Sequence, residues 1–250
     1  MIIFISLLIG LCLGSFYNVC IHRYITGESI VLPASHCPKC NQNLSWWENI
    51  PVLSFVFLAG KCKSCSEPIS IRYPIVELLS GFISVFLVVK FGIGIPYFLY
   101  MVMFGILIVV SFIDFEIFIL PDTLILPGAL FAFLSSFFLP LDWQNSLAGM
   151  LVGAGLFLFI QQAYKAIRKI DGMGTGDIKF MLMLGAMTGL QGLPVLVLVA
   201  AFSSLFASMF LLRGVKTSKA MQTPIPFGPF LAFGAIFYIF CEDMILKIIF

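Results

Sequence analysis

The chain has 250 residues, 61% hydrophobic and 10% charged, with a net charge of +2 and a mean hydropathy of +1.10. That is more apolar surface than a soluble domain of this length can bury, so a bilayer is the expected solvent and the useful unit is a span of about 20 apolar residues. The small net charge, with no acidic or basic block, excludes a tail for nucleic acid or for anionic substrates.

Residues 1–21 carry no charged side chain. A secretory signal puts its positive charge ahead of the apolar run, whereas His22 and Arg23 follow this one and no small-residue cleavage site closes it. The expectation is a first span with its N-terminus outside. Residues 23–73 hold Pro, Gly, Ser, four paired cysteines and five Lys or Arg, a composition that hydrocarbon does not accept; they form a small extramembrane insertion. Its apolar run, 50–59, is too short to span and is expected to pack on the membrane surface or inside the insertion.

From residue 75 the pattern is span after span: 75–89, 97–113, 123–139, 146–164, then an uncharged stretch, 180–212, longer than one crossing. Gly189, Gly192 and Pro194 offer a break within it, so it reads as two spans. A last span, 230–245, follows the prolines Pro224, Pro226 and Pro229. The fold class is therefore all-α and polytopic, with about eight transmembrane helices and an insertion after the first. Alternation from an outside N-terminus places Arg23, Lys39, Lys61, Lys63, Arg72, Lys165, Arg168, Lys169, Lys179, Arg213, Lys216 and Lys219 inside, twelve of the fourteen Lys and Arg, with only Lys90 and Lys247 outside. That bias supports both the span count and the orientation.

Cys37-Pro-Lys-Cys40 and Cys62-Lys-Ser-Cys65 are two C-x-x-C pairs separated by 21 residues, a spacing suited to a tetrahedral thiolate site for Zn2+. Two disulfides are the alternative, disfavoured by the reducing compartment that the charge bias gives the insertion. Such a metal site contributes about 10–16 kcal/mol, enough to dominate the folding of a short segment with few core residues. Cys12, Cys20 and Cys241 lie in apolar runs and read as packing residues.

An aspartate at the centre of a membrane helix costs about 2.5–3.5 kcal/mol, so acidic residues near span ends ask for a reason. Asp114 ends the third span and Asp177 opens the sixth, both on the inside face, where they are able to meet. Gly172, Gly174 and Gly176 before Asp177 free the backbone and admit a substrate strand. Two carboxylates in one space share a proton, so one serves as base toward water and the other as acid. The bland alternative for either is a solvated boundary residue or helix cap. Asp122, after Pro121, fits a cap and is ranked as a supporting residue. Glu116 reads as a boundary charge, and Glu77 either as a partner of Arg72 or as part of a site on the insertion.

These residues together resemble the type IV prepilin peptidases, bifunctional leader peptidases and N-methyltransferases. The resemblance rests on Gly14-Ser-Phe-Tyr-Asn18 with Arg23, on the two C-x-x-C pairs flanking Trp46-Trp-Glu-Asn-Ile-Pro51, and on Pro68-Ile-Ser-x-Arg72-Tyr-Pro74-x-Val-Glu77. It also rests on Asp114 with Leu120-Pro121-Asp122, and on Gly174-Thr-Gly176-Asp177-Ile-Lys179. It implies Asp114 and Asp177 as the catalytic pair, with Gly174, Gly176, Asp122 and Lys179 in support, and Cys37, Cys40, Cys62 and Cys65 around structural zinc. It implies further that the substrates are prepilins or pseudopilins with a basic leader and an apolar N-terminal helix, and that S-adenosylmethionine is the methyl donor. The expected location is the bacterial inner membrane, with the active site and the cysteine insertion cytoplasmic. The expected organisation is a first helix at 1–22, a tetracysteine insertion at 23–73 associated with methyl transfer, and a seven-helix peptidase domain at 74–250. No Gly-rich nucleotide fingerprint marks a methyl-donor site; Asn18, Arg23, Glu48 and Glu77 are its candidate contributors. Two other classes stay open on the residues alone: a transporter or channel, which calls for mid-depth acidic residues and related halves, and an assembly factor that docks through its zinc module.

Overall fold

The computed structural model describes residues 1–169, 174–211 and 225–249; Gly172, Arg213, Lys216, Lys219 and Pro224, and the end of the long apolar stretch at Leu212, lie outside the described residues. All regular structure described is helical, because hydrocarbon gives the backbone no partner but itself. Among the described residues, six helices are long and apolar enough to cross a membrane. The chain divides into two compact units, Met1–Val109 and Val110–Phe250.

In the first unit, α1 (Ile2–Thr26) ends at Gly27, whose φ of 74° is the left-handed C-cap conformation, its N–H bonded to the Arg23 carbonyl. The insertion follows, with a 3-10 turn (Trp46–Asn49) and the short α2 (Leu53–Phe57). Leu53, Val56 and Phe57 of α2 are exposed, so the apolar run at 50–59 turns much of its surface outward. Helix α3 (Arg72–Phe91) packs along α1 through small residues. A Cβ at Gly14 would stand 2.6 Å from Glu77 Cα, and one at Gly10 would stand 2.6 Å from the Ser80 carbonyl. In lipid, where helices gain nothing by hiding apolar surface from each other, this close approach is what holds them. Ser84 of α3 donates to the Ser6 carbonyl at 2.6 Å and meets the Tyr97 hydroxyl at 2.9 Å, which joins the start of α4 (Ile95–Ile117) to the pair.

In the second unit, α5 (Asp122–Ser135) has 14 residues and carries Pro127. It is shorter than the span expected at 123–139, and at about 1.5 Å per residue it falls short of a ~30 Å hydrocarbon core. Helix α6 (Trp143–Arg168) packs on α7 (Thr175–Leu211), where a Cβ on Gly149 or Gly185 would overlap the other's backbone. The expected break in α7 falls at Gly189, with φ 68° and ψ 177°, and the Leu190 N–H beyond it is received by Asn145 Oδ1 of α6 at 2.8 Å. Among the described residues, counting α7 as two helices, including α5 and leaving out the short α2, the total is the eight expected. The last helix, α8 (Gly228–Ile249), lies against the second half of α7, with Gly234 fitting over Leu196 and Gly192 against Tyr238. Phe202, Leu205 and Phe206 of α7 are exposed, as a lipid-facing surface requires.

Candidate active site and metal centre

Asp114 stands near the C-terminal end of α4 and is 4% exposed. Its Oδ2 accepts the backbone N–H of Gly228, the first residue of α8, at 3.1 Å. The N–H groups at a helix start have no partner within the helix and carry its positive end, so a buried carboxylate is well received there. Four residues on, Phe118 adopts φ 56° and turns the chain out of α4. The following segment carries Leu120, whose side chain would be 3.0 Å from a Cβ at Gly176 and 2.9 Å from one at Gly228.

Asp177 lies in the first turn of α7 and is half-buried. Gly176 and Gly228 both lie against Leu120, which brings Asp177 and Asp114 to the same region of the fold, close enough for the charge of Asp114 to be felt at Asp177. Two carboxylates placed in this way, Asp114 against the first residue of α8 and Asp177 in the first turn of α7, and neither paired with a cation among the described residues, are equipped for proton transfer. Gly176 is helical; what its missing side chain provides is room for Leu120. A Cβ at Gly174 would stand 3.7 Å from Asp177 Oδ2, so a glycine keeps that side open. Asp122, the first residue of α5, forms a 2.5 Å ion pair with Lys179 Nζ, tying α5 to the opening turns of α7. Gly228 had no role in the sequence reading, and Leu120 entered it only as part of Leu120-Pro121-Asp122; the signal for Gly228 was a glycine set between Pro226 and Pro229 just ahead of the last apolar run.

In the first unit, Cys37, Cys40, Cys62 and Cys65 bring their sulfurs within 4.8 Å of one another, with Cys37 and Cys65 3.8 Å apart. Zn–S bonds of about 2.3 Å in a tetrahedron place sulfurs about 3.8 Å apart, so the residues fit such an ion. All seven cysteines are free thiols, and the disulfide alternative is not realised. The two knuckles repeat one geometry. Asn41 N–H returns to the Cys37 carbonyl and Ser66 N–H to the Cys62 carbonyl, both at 2.9 Å, and Asn41 and Ser66 both turn at positive φ, 55° and 60°. Backbone N–H groups of Cys65 and Ser64 draw the Cys62 thiol down to about 7. Cys65 is pushed up to about 12: the Glu67 N–H favours its thiolate, but desolvation and the other three sulfurs outweigh it. Four thiolates this close need a cation between them.

The methyl-donor candidates fall apart into different roles. Arg23, 5% exposed, donates to the carbonyls of Ser29 and Pro33 and pins the chain leaving α1. Glu48 accepts the Ser45 N–H at 2.7 Å and caps its own turn. Asn18 and Glu77 lie together at the contact of α1 and α3.

Residues 8–91 match the bacterial peptidase A24 N-terminal domain, and residues 101–212 match the type IV leader peptidase family. A prepilin leader peptidase/N-methyltransferase of Aeromonas hydrophila is 33% identical, over 96% of this chain and 91% of its own. The chain belongs to the type IV leader peptidase family. A protein of the same description from Stutzerimonas stutzeri is 35% identical, over 91% of this chain and 86% of its own, and one from Pseudomonas putida is 30% identical, over 91% and 86%. No solved structure matches the chain. Within the family match, Asp114, Asp122 and Asp177 fall in the leader peptidase region and the cysteines in the N-terminal one, while Gly228 lies beyond both. As a family member with six long apolar helices, the protein is a multi-pass membrane protein.

Proposed function

We propose that this chain removes the leader from prepilins or pseudopilins at the cytoplasmic face of the bacterial inner membrane, with Asp114 and Asp177 as the catalytic pair, and then methylates the new N-terminal amine. The observation that carries the reading is the meeting of the two carboxylates at helix ends around Leu120. Kinship with proteins named for both activities supports it.

Two carboxylates in each other's field do not both ionise readily, so the pair holds one proton between them. The ionised member takes a proton from a water molecule as the water oxygen attacks the scissile carbonyl. The protonated member hydrogen-bonds the carbonyl oxygen, and a proton passes to the leaving amine as the C–N bond breaks. The Gly228 N–H holds Asp114 in position, while the Asp122–Lys179 pair braces α5 against α7. Gly174 and Gly176 leave the approach to Asp177 open. A basic leader stays on the cytoplasmic side by the same charge rule that orients this chain, which sets its cleavage site beside the pair.

Cleavage is assigned to the helices of residues 74–250, and methyl transfer to the insertion at 23–73, folded around zinc held by Cys37, Cys40, Cys62 and Cys65. S-adenosylmethionine supplies an electrophilic methyl group when bound. The test is incubation of the purified protein in lipid with a prepilin carrying its leader, products being read by mass. Wild type should lose the leader mass and, with methyl donor, gain one methyl; Asp114→Asn and Asp177→Asn should each cut about 100- to 10,000-fold more slowly, the range of a lost acid or base. Cleavage at the wild-type rate by both variants would sink the aspartate mechanism.

A further inference from the structure

At the contact of α1 and α3, two buried acceptors stand side by side with incomplete partners. Asn18 is 1% exposed and Glu77 is 7% exposed. The Asn18 amide nitrogen donates to the Tyr73 carbonyl at 3.0 Å and to the Gly14 carbonyl at 3.3 Å, which fixes the orientation of the amide. Its Oδ1 then has no hydrogen-bond partner. Glu77 follows Tyr73 by one turn of α3, and its Cα would lie 2.6 Å from a Cβ at Gly14, one turn before Asn18 on α1. Its carboxylate accepts the Val52 N–H at 2.8 Å, and the Ser15 hydroxyl lies near enough to act on it. Both partners are neutral, and no cation pairs with Glu77 among the described residues.

A buried amide oxygen without a donor and a buried carboxylate without a cation are each costly, and native proteins keep such groups where a ligand completes them. What both lack is the same thing: a positively charged group bearing several N–H donors. Val52 belongs to the insertion, so the insertion itself holds Glu77 in place.

We infer that Asn18 Oδ1 and the Glu77 carboxylate form a binding site for a primary ammonium group. This rests on the methyltransferase reading above and extends the methyl-transfer region from the insertion into the ends of the two helices that flank it. The ammonium has two sources in that reaction, the amino-acid end of the methyl donor or the new N-terminus of the cut pilin.

The experiment measures binding to the intact, metal-loaded protein in lipid nanodiscs by calorimetry. One arm uses S-adenosylhomocysteine against methylthioadenosine, which lacks the amino-acid end; the other uses a mature pilin N-terminal peptide against its N-acetylated form. Wild type should prefer the free-ammonium ligand in one arm, and that arm names the source. Glu77→Gln keeps the shape and an acceptor for the Val52 N–H, so it should fold with the wild-type melting temperature and metal content. It should nevertheless bind the preferred ligand about 10- to 100-fold more weakly, the difference between a charge-assisted and a neutral hydrogen bond, and lose the preference for a free ammonium. Unchanged affinity and preference in folded Glu77→Gln would overturn the inference while wild-type methylation leaves the wider reading standing. Should Glu77→Gln fail to fold, the wild-type arms still decide, because equal binding of the ammonium and ammonium-free ligands in both arms overturns it. Wild type that never adds a methyl mass with several prepilins would overturn the methyltransferase reading itself.

Discussion

Asp114, Asp122 and Asp177 are three aspartates at helix ends with three different environments. Asp122 is half exposed and paired with Lys179, an arrangement worth about 0–1 kcal/mol at such a surface. Asp114 is buried and held by one backbone N–H, so whatever moves that N–H moves the carboxylate. Gly228→Ala tests this, since its Cβ would stand 2.7 Å from Asp114 Oδ2 and 2.9 Å from Leu120 Cδ2. The expected outcome is a loss of about tenfold or more in prepilin cleavage, measured by mass spectrometry with the melting temperature as control, because a misplacement of about 1 Å is enough to cost that much. Asp122→Ala in the same assay should retain appreciable cleavage; the reverse order would exchange the roles given to Asp114 and Asp122.

At the scale of elements, α7 is two helices held in register by one side chain. Gly189 sits at φ 68°, ψ 177°, a region open in practice only to glycine and costing other residues about 1–3 kcal/mol. A Cβ there would also stand 2.9 Å from the Asn145 side chain, the group that receives the Leu190 N–H. Gly189→Ala should therefore lower the melting temperature in detergent by several degrees, and Asn145→Ala, which orphans the Leu190 N–H, should do so too. A Gly189→Ala protein as stable as wild type would show that the break has no dependence on glycine. The knuckles of the insertion make an equivalent point. Each sets its two sulfurs with one backbone turn, and neither has the apolar core to hold that turn without a metal.

For the molecule as a whole, metal removal should divide the chain by behaviour. Stripping the metal from the quartet with a chelator should leave the helical signal of the spans largely unchanged while opening the insertion to trypsin at Lys61 and Lys63, as followed by circular dichroism and peptide mapping. Insertion protection that survives complete metal loss would count against a structural ion. The same site sets a pH direction. Binding requires thiolates, and the Cys65 thiol, held up to about 12 in the metal-free cluster, must give its proton to the incoming metal. Cys62, drawn down to about 7, also takes a proton as the pH falls through that value. Protons therefore compete with the metal, and apparent affinity should fall steadily as pH is lowered from about 8 to about 6, as measured by chelator competition.

Sequence alone determined what depends on composition and local spacing. Residence in a bilayer follows from the unbroken apolar runs, the metal quartet from two C-x-x-C turns, and a break in α7 from the cluster Gly189, Gly192 and Pro194, of which the structure uses Gly189. Asp114 and Asp177 were legible as candidates because an acid at a span end is expensive enough to need a reason. What the tertiary structure decided are contacts between residues far apart in the chain. The Gly228 N–H bonding to Asp114, Leu120 filling the space left by two glycines, the 14-residue length of α5 and the lodging of Asn18 and Glu77 between α1 and α3 have no local signature. In lipid, helix pairing is set by the close fit of small residues rather than by an apolar stripe, and the spans here carry large apolar residues on their exposed as well as their buried sides. Periodicity therefore shows that a helix exists and leaves its neighbours to be fixed by packing.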